Sequence, residues 1–372
     1  MAGYQTSRDG PSPFIWLVNG LGRLLAAVFV PIVTFLVLWQ GFIFLRDNKA
    51  PQIVMVTVAI LWGVGGVALL YLVSNWLVEK LPDAMRRAIQ PFIFVGPALA
   101  ILAWYLAIPT LRTLVLSFQD ETSRVFVGLD NYVFAFTDRI MLEAFRNNLL
   151  WMIFGTGFSV GLGLLIAVLA DRSRFENVYK AIIFMPMAIS FVGAGVIWKF
   201  MYTYKGEGIG INEIGLINAI VLALGGKSQP WLSLPPWNNF FLIVIMVWLQ
   251  TGYAMVILSS AIKGIPAELL EAARVDGASE VKAFFRITIP YIQGTLLTVI
   301  TTIIIFSLKL FDIVRVMTGG NNGTNVIANE FYLQRFTYGH TGRASAIAIV
   351  LLLAVVPVMI YNLRQFRERR TF

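Results

Sequence analysis

Eight stretches of this chain are continuously apolar over about the length that carries a helix across a bilayer. They cover residues 24–45, 53–77, 92–118, 148–170, 182–202, 240–262, 295–311 and 344–363. The seventh is the shortest and ends in charge. Inside hydrocarbon, every backbone N–H and C=O needs a partner within the protein. Only helices and closed barrels meet that demand. Barrel strands alternate apolar and polar residues over about ten positions, and these runs do not alternate. Of the 372 residues, 58% are hydrophobic and 13% are charged, whereas a soluble domain is nearer half and a quarter. The expected fold is therefore an all-α integral membrane protein with eight transmembrane helices.

Composition also removes several chemistries. The chain has no cysteine and one histidine, His340. That excludes disulfides and thiolate metal sites, and leaves almost nothing for imidazole catalysis or zinc. A net charge of +9 could suggest nucleic acid. In so apolar a chain it reads instead as basic loops beside an anionic lipid leaflet, with no nucleic-acid partner.

The polar connections alternate in character. One set is short and basic. It carries Lys80, Arg86 and Arg87; Arg172, Arg174 and Lys180; Lys263, Lys282 and Arg286; and Arg364, Arg367, Arg369 and Arg370. The other set, 119–147, 204–239 and 312–343, is longer and rich in Trp, Gly, Asn and Pro. Short basic loops belong to the cytoplasm, which predicts both termini inside a bacterial-type inner membrane. Residues 1–13 are polar with a single Arg, so a retained first helix is expected rather than a cleavable leader. Two units follow: a cytoplasmic segment with a helical hairpin over 1–91, and a six-helix core over 92–372.

The most informative segment is the basic connection 263–292. Pro266 suits the first turn of a helix, and residues 267–275 are good helix formers. Gly277 is placed for a left-handed turn that ends this helix. A second short helix over 278–287 is expected to stop before Pro290. Ala272 and Ala273 are small enough for another protein to approach closely, while Glu271 and Asp276 offer fixed negative charge.

The spelling Glu271-Ala272-Ala273, then Arg274-Val275-Asp276-Gly277, then Ile287-Thr288-Ile289-Pro290 resembles the EAA loop of ABC importer permeases. The resemblance extends over about residues 92–367. Phe126-Val127-Gly128-Leu129-Asp130-Asn131-Tyr132, Trp248, Gly252-Tyr253, Phe311-Asp312-Ile313-Val314 and Met317-Thr318-Gly319-Gly320 are similar to the carbohydrate branch, and most to its maltose/α-glucoside-type larger permease. The hairpin over 24–77 lies outside that six-helix core.

The resemblance implies that Glu271, Ala272, Ala273, Arg274, Asp276, Gly277 and Pro290 belong to a coupling segment seated on an ATPase. It implies a second homologous permease, two ATPase subunits that bind ATP and Mg, and an extracytoplasmic sugar-binding protein as partners. The chain itself would be non-catalytic and without a cofactor. A sugar site needs aromatic faces for ring carbons and a few polar groups for hydroxyls. Matching the family's motifs places Gln250, Tyr253, Phe306, Ser307 and Leu310 at the sugar site. Lys309 stands beside Leu310, where a polar residue is the family's pattern.

Other readings are weaker. Gly157-Phe158-Ser159-Val160-Gly161 spells a hydrolase elbow, but that motif needs a strand-turn-helix setting and a nearby His. Gly157 and Gly161 are expected to serve close helix packing instead. Gly226-Lys227-Ser228 ends like a P-loop, yet Val221 stands where the first glycine is required. Lys309, Asp312 and Arg315, spaced for one helix face, are expected to pair. His340 is expected to be an ordinary loop residue. The alternatives are a permease for a polyol or glycosylglycerol, and a membrane enzyme that processes sugars. The second would need an interfacial carboxylate or His cluster, and the sequence offers no dense one.

Overall fold

The computed structural model describes residues 13–47, 49–80, 83–171, 173–205 and 215–368. Arg172, Arg369, Arg370 and the polar residues 1–12 lie outside the described residues. The architecture is helical, with no strand among the described residues and one isolated bridge, Gln119 to Phe126. Seven helices are long and apolar enough to cross a membrane, or eight if one bent pair is a single span.

By packing, the chain divides at Pro109, inside the third long helix, whereas the charge pattern alone suggested residue 91. In the first unit, α1 (Pro13–Asp47) and α2 (Gln52–Glu79) form a hairpin, followed by α3 (Asp83–Leu102). Trp62 Nε1 donates to the Leu38 carbonyl at 2.9 Å, which pins α2 to α1. Only 6% of the apolar window of either hairpin helix is buried. Helices that are apolar all round need covering, so these faces are suited to lipid. A π-turn (Ala103–Ala107) leads into α4 (Ile108–Leu116), which crosses the boundary.

The second unit continues with α5 (Asp130–Thr137), α6 (Arg139–Leu150), a π-turn (Trp151–Gly155) and α7 (Thr156–Ala170). Next come α8 (Glu176–Phe184), α9 (Phe191–Met201), α10 (Leu216–Ala223) and α11 (Trp237–Lys263). Then follow α12 (Ala267–Val275), α13 (Glu280–Ala283), α14 (Ile289–Leu308), α15 (Asp312–Met317), α16 (Ile327–Tyr332) and α17 (Thr341–Glu368).

The helix α11 is the axis of this unit. Leu242, Ile245, Met246, Met255 and Leu258 are fully buried, and 61% of its apolar window lies inside the protein. It runs beside α7 in the same direction. A Cβ on Gly155 would lie 2.8 Å from Met246 Sδ, and one on Gly163 would lie 2.6 Å from Ala254 Cβ. The small residues that permit this approach are therefore Gly155 and Gly163. The expected pair, Gly157 and Gly161, faces open space. Glycine does serve close packing here, but on the face of Gly155 and Gly163, eight residues apart, and not that of Gly157 and Gly161.

Three further expectations change. Residues 182–202 do not make one straight span. They are broken between α8 and α9, with a bend of 100°. Pro290 does not stop a helix, since one helical run extends from Glu280 to Leu308. A π-turn (Phe284–Thr288) absorbs the proline, and Ile289 N–H reaches back to the Phe284 carbonyl. In a regular helix the proline ring would strike the carbonyl four residues back, that of Arg286, and the wide turn loosens the helix at that point. The same device precedes Pro109, where Ile108 N–H bonds the Ala103 carbonyl. Finally, Lys309, Asp312 and Arg315 do not share a helix. The chain leaves helical geometry between Leu308 and Asp312, and among the described residues no ion pair joins the three. Arg315 instead stacks on the Tyr332 ring at 4.4 Å.

Candidate functional site

The break after α8 is written in its residues. Pro186 lacks an N–H, and the chain narrows to a 3-10 turn over Met185–Ala188. Ile189 and Ser190 are extended. The Ser190 hydroxyl then accepts from Gly193 N–H at 3.0 Å and starts α9. A cavity of about 200 Å³ opens at this break. Met187 and Phe191 line it from the break, Leu249, Gln250 and Tyr253 from α11, and Thr302 and Phe306 from α14.

The lining holds no charged residue. Phe191 and Phe306 meet with ring centroids 4.6 Å apart, tilted by 33°. Gln250 is 8% exposed, and among the described residues its amide has no hydrogen-bond partner. Its amide is thus free to bond a polar ligand in the cavity. Gly252 allows α8 to approach the cavity wall: a Cβ there would lie 2.6 Å from the Ile183 carbonyl oxygen and 2.7 Å from Phe184 Cα.

Of the six residues taken from sequence, Gln250, Tyr253 and Phe306 meet in this cavity. The other three lie elsewhere. Ser307 is fully buried and donates to the Ile304 carbonyl at 2.8 Å. Leu310 is part of the apolar core. Lys309 is exposed where α14 ends. Sequence reading missed Leu249, Thr302, Met187 and Phe191. Leu249 and Thr302 stand four residues before Tyr253 and Phe306, so helical spacing could have found them. Pro186 within an apolar run was the signal for the other two.

At the end of α11, the chain forms a second feature. Helix α12 closes on Gly277, whose φ is +75°. The Ala278 N–H reaches the Ala273 carbonyl at 2.9 Å, and the Gly277 N–H reaches Arg274 at 3.0 Å. This is the paired bonding that ends a helix in a left-handed residue. Ser279 caps α13 by accepting from Lys282 N–H at 3.3 Å. Arg274 pairs with Glu280 across the turn at 3.1 Å. Ala273 is buried, whereas Glu271, Ala272 and Asp276 are exposed. Val275 is 88% exposed, and Leu269, Val281 and Phe285 also present apolar surface. The turn joins α11 to α14, which wall the cavity together with the break before α9.

The opposite end of α11 is held by amides. Asn147 donates to the carbonyls of Gly323 and Asn325 at 2.9 and 2.8 Å, and Asn239 donates to Gly323 at 3.0 Å. Asn131 is buried and donates to the carbonyls of Ser117 and Gln119 at 3.0 and 2.7 Å. Nearby, backbone N–H donors, first that of Arg124, hold the Asp120 carboxyl below the usual carboxylate range. His340 is more than a bystander. It contacts Gln334 at 2.9 Å and Glu121 at 3.3 Å, tying two connections together.

Comparison with known proteins agrees with this architecture. Residues 159–371 match the family model described as "Binding-protein-dependent transport system inner membrane component". The chain is 59% identical over 277 residues to the osmoprotective compounds uptake permease protein GgtC of Synechocystis sp., covering 74% of this chain and 99% of that protein. It is 49% identical over 281 residues to the alpha-glucoside transport system permease protein AglF of Rhizobium meliloti, covering 75% and 83%. Among solved structures, one chain of a bacterial alginate ABC transporter in complex with alginate pentasaccharide-bound periplasmic protein shares its fold. The TM-score is 0.65 over 76% of this chain and 96% of that one, at 19% identity.

Proposed function

Since the chain belongs to the family of binding-protein-dependent transport system inner membrane components, we propose that it is the permease subunit of an ATP-driven importer for a neutral, polyhydroxylated solute of the α-glucoside kind. It supplies half of the translocation pathway. A second, homologous permease supplies the other half, two ATPase subunits seat on the exposed turn, and an extracytoplasmic binding protein delivers the solute. ATP and Mg are bound by the ATPases, and this chain performs no chemistry. Both termini and the turn face the cytoplasm. Residues 92–372 form the transporting core, and the hairpin is an addition to it.

The observation that carries this reading is the helical turn between α11 and α14. A side chain such as Val275, 88% exposed on a polar connection, leaves apolar surface in water that a partner would cover. Glu271 and Asp276 flank it with negative charge for a partner's donors. Force applied there reaches both walls of the cavity, because each wall helix begins or ends at the turn. Alternating access is a rocking of helix bundles around a central site, and this turn gives a motor a grip on two of those helices.

The uncharged cavity supports the solute class. Phe191, Tyr253 and Phe306 offer ring faces to sugar carbons, while Gln250 and the Tyr253 hydroxyl suit sugar hydroxyls. Ser307, Lys309 and Leu310 form the margin of the pathway rather than the wall of this cavity. The relatives named for osmoprotective compounds and for α-glucosides bracket the substrates to test. Purified complex in proteoliposomes, supplied with binding protein and internal ATP, should accumulate a labelled α-glucoside. Uptake that continues without ATP, or that needs no binding protein, would overturn the reading.

A further inference from the structure

The helix α8 is fastened to α11 at two places, and neither belongs to the cavity or to the exposed turn. At its start, Lys180 Nζ donates to Asp171 Oδ1 and to Glu176 Oε1, both at 2.5 Å, and also to the Ser259 hydroxyl. Ser259 donates to the same Asp171 oxygen at 2.7 Å. Lys263 pairs with Glu176. The Lys180 and Asp171 side chains are only 17% and 13% exposed. At its far end, the α8 backbone at Ile183 and Phe184 lies against Gly252 of α11.

The cluster joins Asp171, the first residue after α7, the first two turns of α8 and the last turns of α11. Ser259 and Lys263 stand directly before the exposed turn. Met187 and Phe191, which follow α8, form one wall of the cavity together with Leu249, Gln250 and Tyr253 of α11. The other wall belongs to α14, beyond the turn. Displacement of the turn can therefore move α11 against α14. What α8 does under that force depends on its fastening.

We infer that Lys180 is a positioning residue for coupling: held by Asp171, Glu176 and Ser259, it makes α8 travel with α11, so that movement of the exposed turn reaches the cavity wall at Met187 and Phe191 as one rigid displacement. A single ammonium donating to three acceptors on three segments suits this task. Removing it takes this counter-charge from the Asp171 carboxylate, only 13% exposed, and leaves Glu176 with Lys263 alone, which favours separation of α7 from α8 and α11. Asp171 Oδ2 is buried without a partner, so the cluster has an acceptor to spare for a second arrangement. This inference rests on the importer reading above.

The test compares Lys180→Gln and Lys180→Arg with the unaltered chain in the complete complex in proteoliposomes. Four quantities are read: assembly with the ATPases, basal ATP hydrolysis, uptake, and solute moved per ATP. Lys180→Gln should keep assembly and basal hydrolysis while solute moved per ATP falls about tenfold, a loss within the usual range of site-to-site coupling. Lys180→Arg should restore the ratio to near that of the unaltered chain. An unchanged ratio in assembled Lys180→Gln complex overturns the inference. So does loss of assembly in both variants, which marks an ordinary structural anchor. Absence of ATP-driven uptake in the unaltered complex would overturn the importer reading, and this inference with it.

Discussion

Replacing Gly277 by alanine changes one backbone preference and no contact. Gly277 has φ +75°, and no heavy atom lies within 4 Å of an added Cβ. An L-residue in the left-handed region costs about 1–2 kcal/mol. Two hydrogen bonds hold the turn there, from Gly277 to Arg274 and from Ala278 to Ala273, each with a net value of about 0.5–1.5 kcal/mol. The alanine chain must carry the strain or release the bonds, and the two costs are similar. Either way the turn loses about 1–2 kcal/mol, or roughly 5- to 30-fold in its population. Asparagine tolerates this conformation better than alanine does, so Gly277→Asn serves as the control. ATP-driven uptake in proteoliposomes should fall several-fold in Gly277→Ala, with insertion unchanged, and should be largely kept in Gly277→Asn. If both variants matched the unaltered chain, the angle between α12 and α13 would not be what the motor grips.

Four further outcomes are expected. Gly163→Ala should lower the thermal stability of the purified protein, because its Cβ would stand 2.6 Å from Ala254 Cβ and 2.9 Å from the Met255 nitrogen. Overpacking of this kind costs about 1–3 kcal/mol, whereas Gly157→Ala, in open space, should be neutral or stabilising by about 0.5–1 kcal/mol. Glu271→Lys should abolish ATPase capture or uncouple transport while membrane insertion stays normal, as read by pull-down and fractionation. Gln250→Leu should weaken solute uptake by about the worth of one hydrogen bond, 0.5–1.5 kcal/mol, seen as a raised KM with normal assembly. Asn131→Ala should destabilise the fold by about 1–3 kcal/mol, because it leaves two carbonyls, of Ser117 and Gln119, without their donor; an unchanged melting temperature would refute that role.

Composition and periodicity determined the class of this protein. Continuous apolar runs can be satisfied in lipid only as helices, so eight spans were legible without any contact being known, and the structure holds seven, or eight with the bent pair. The turn around Gly277 was equally legible, since Pro266 and Gly277 act through local geometry. Tertiary structure decided everything that depends on which face of a helix is turned inward. An apolar helix carries no polar stripe to mark that face. Gly157 and Gly161 therefore looked as suitable for packing as Gly155 and Gly163, and only the position of α11 distinguished them. The same limit separated Phe306 from its neighbour Ser307: adjacent residues on a helix point about 100° apart, and the position of α11 settled which one meets the cavity. The Lys180 cluster likewise arises from partners far apart in the chain, whereas the break at Pro186 and the π-turn before Pro290 have local causes in their prolines. Local residue pattern fixes what each segment can become, but long-range packing chooses where its side chains go.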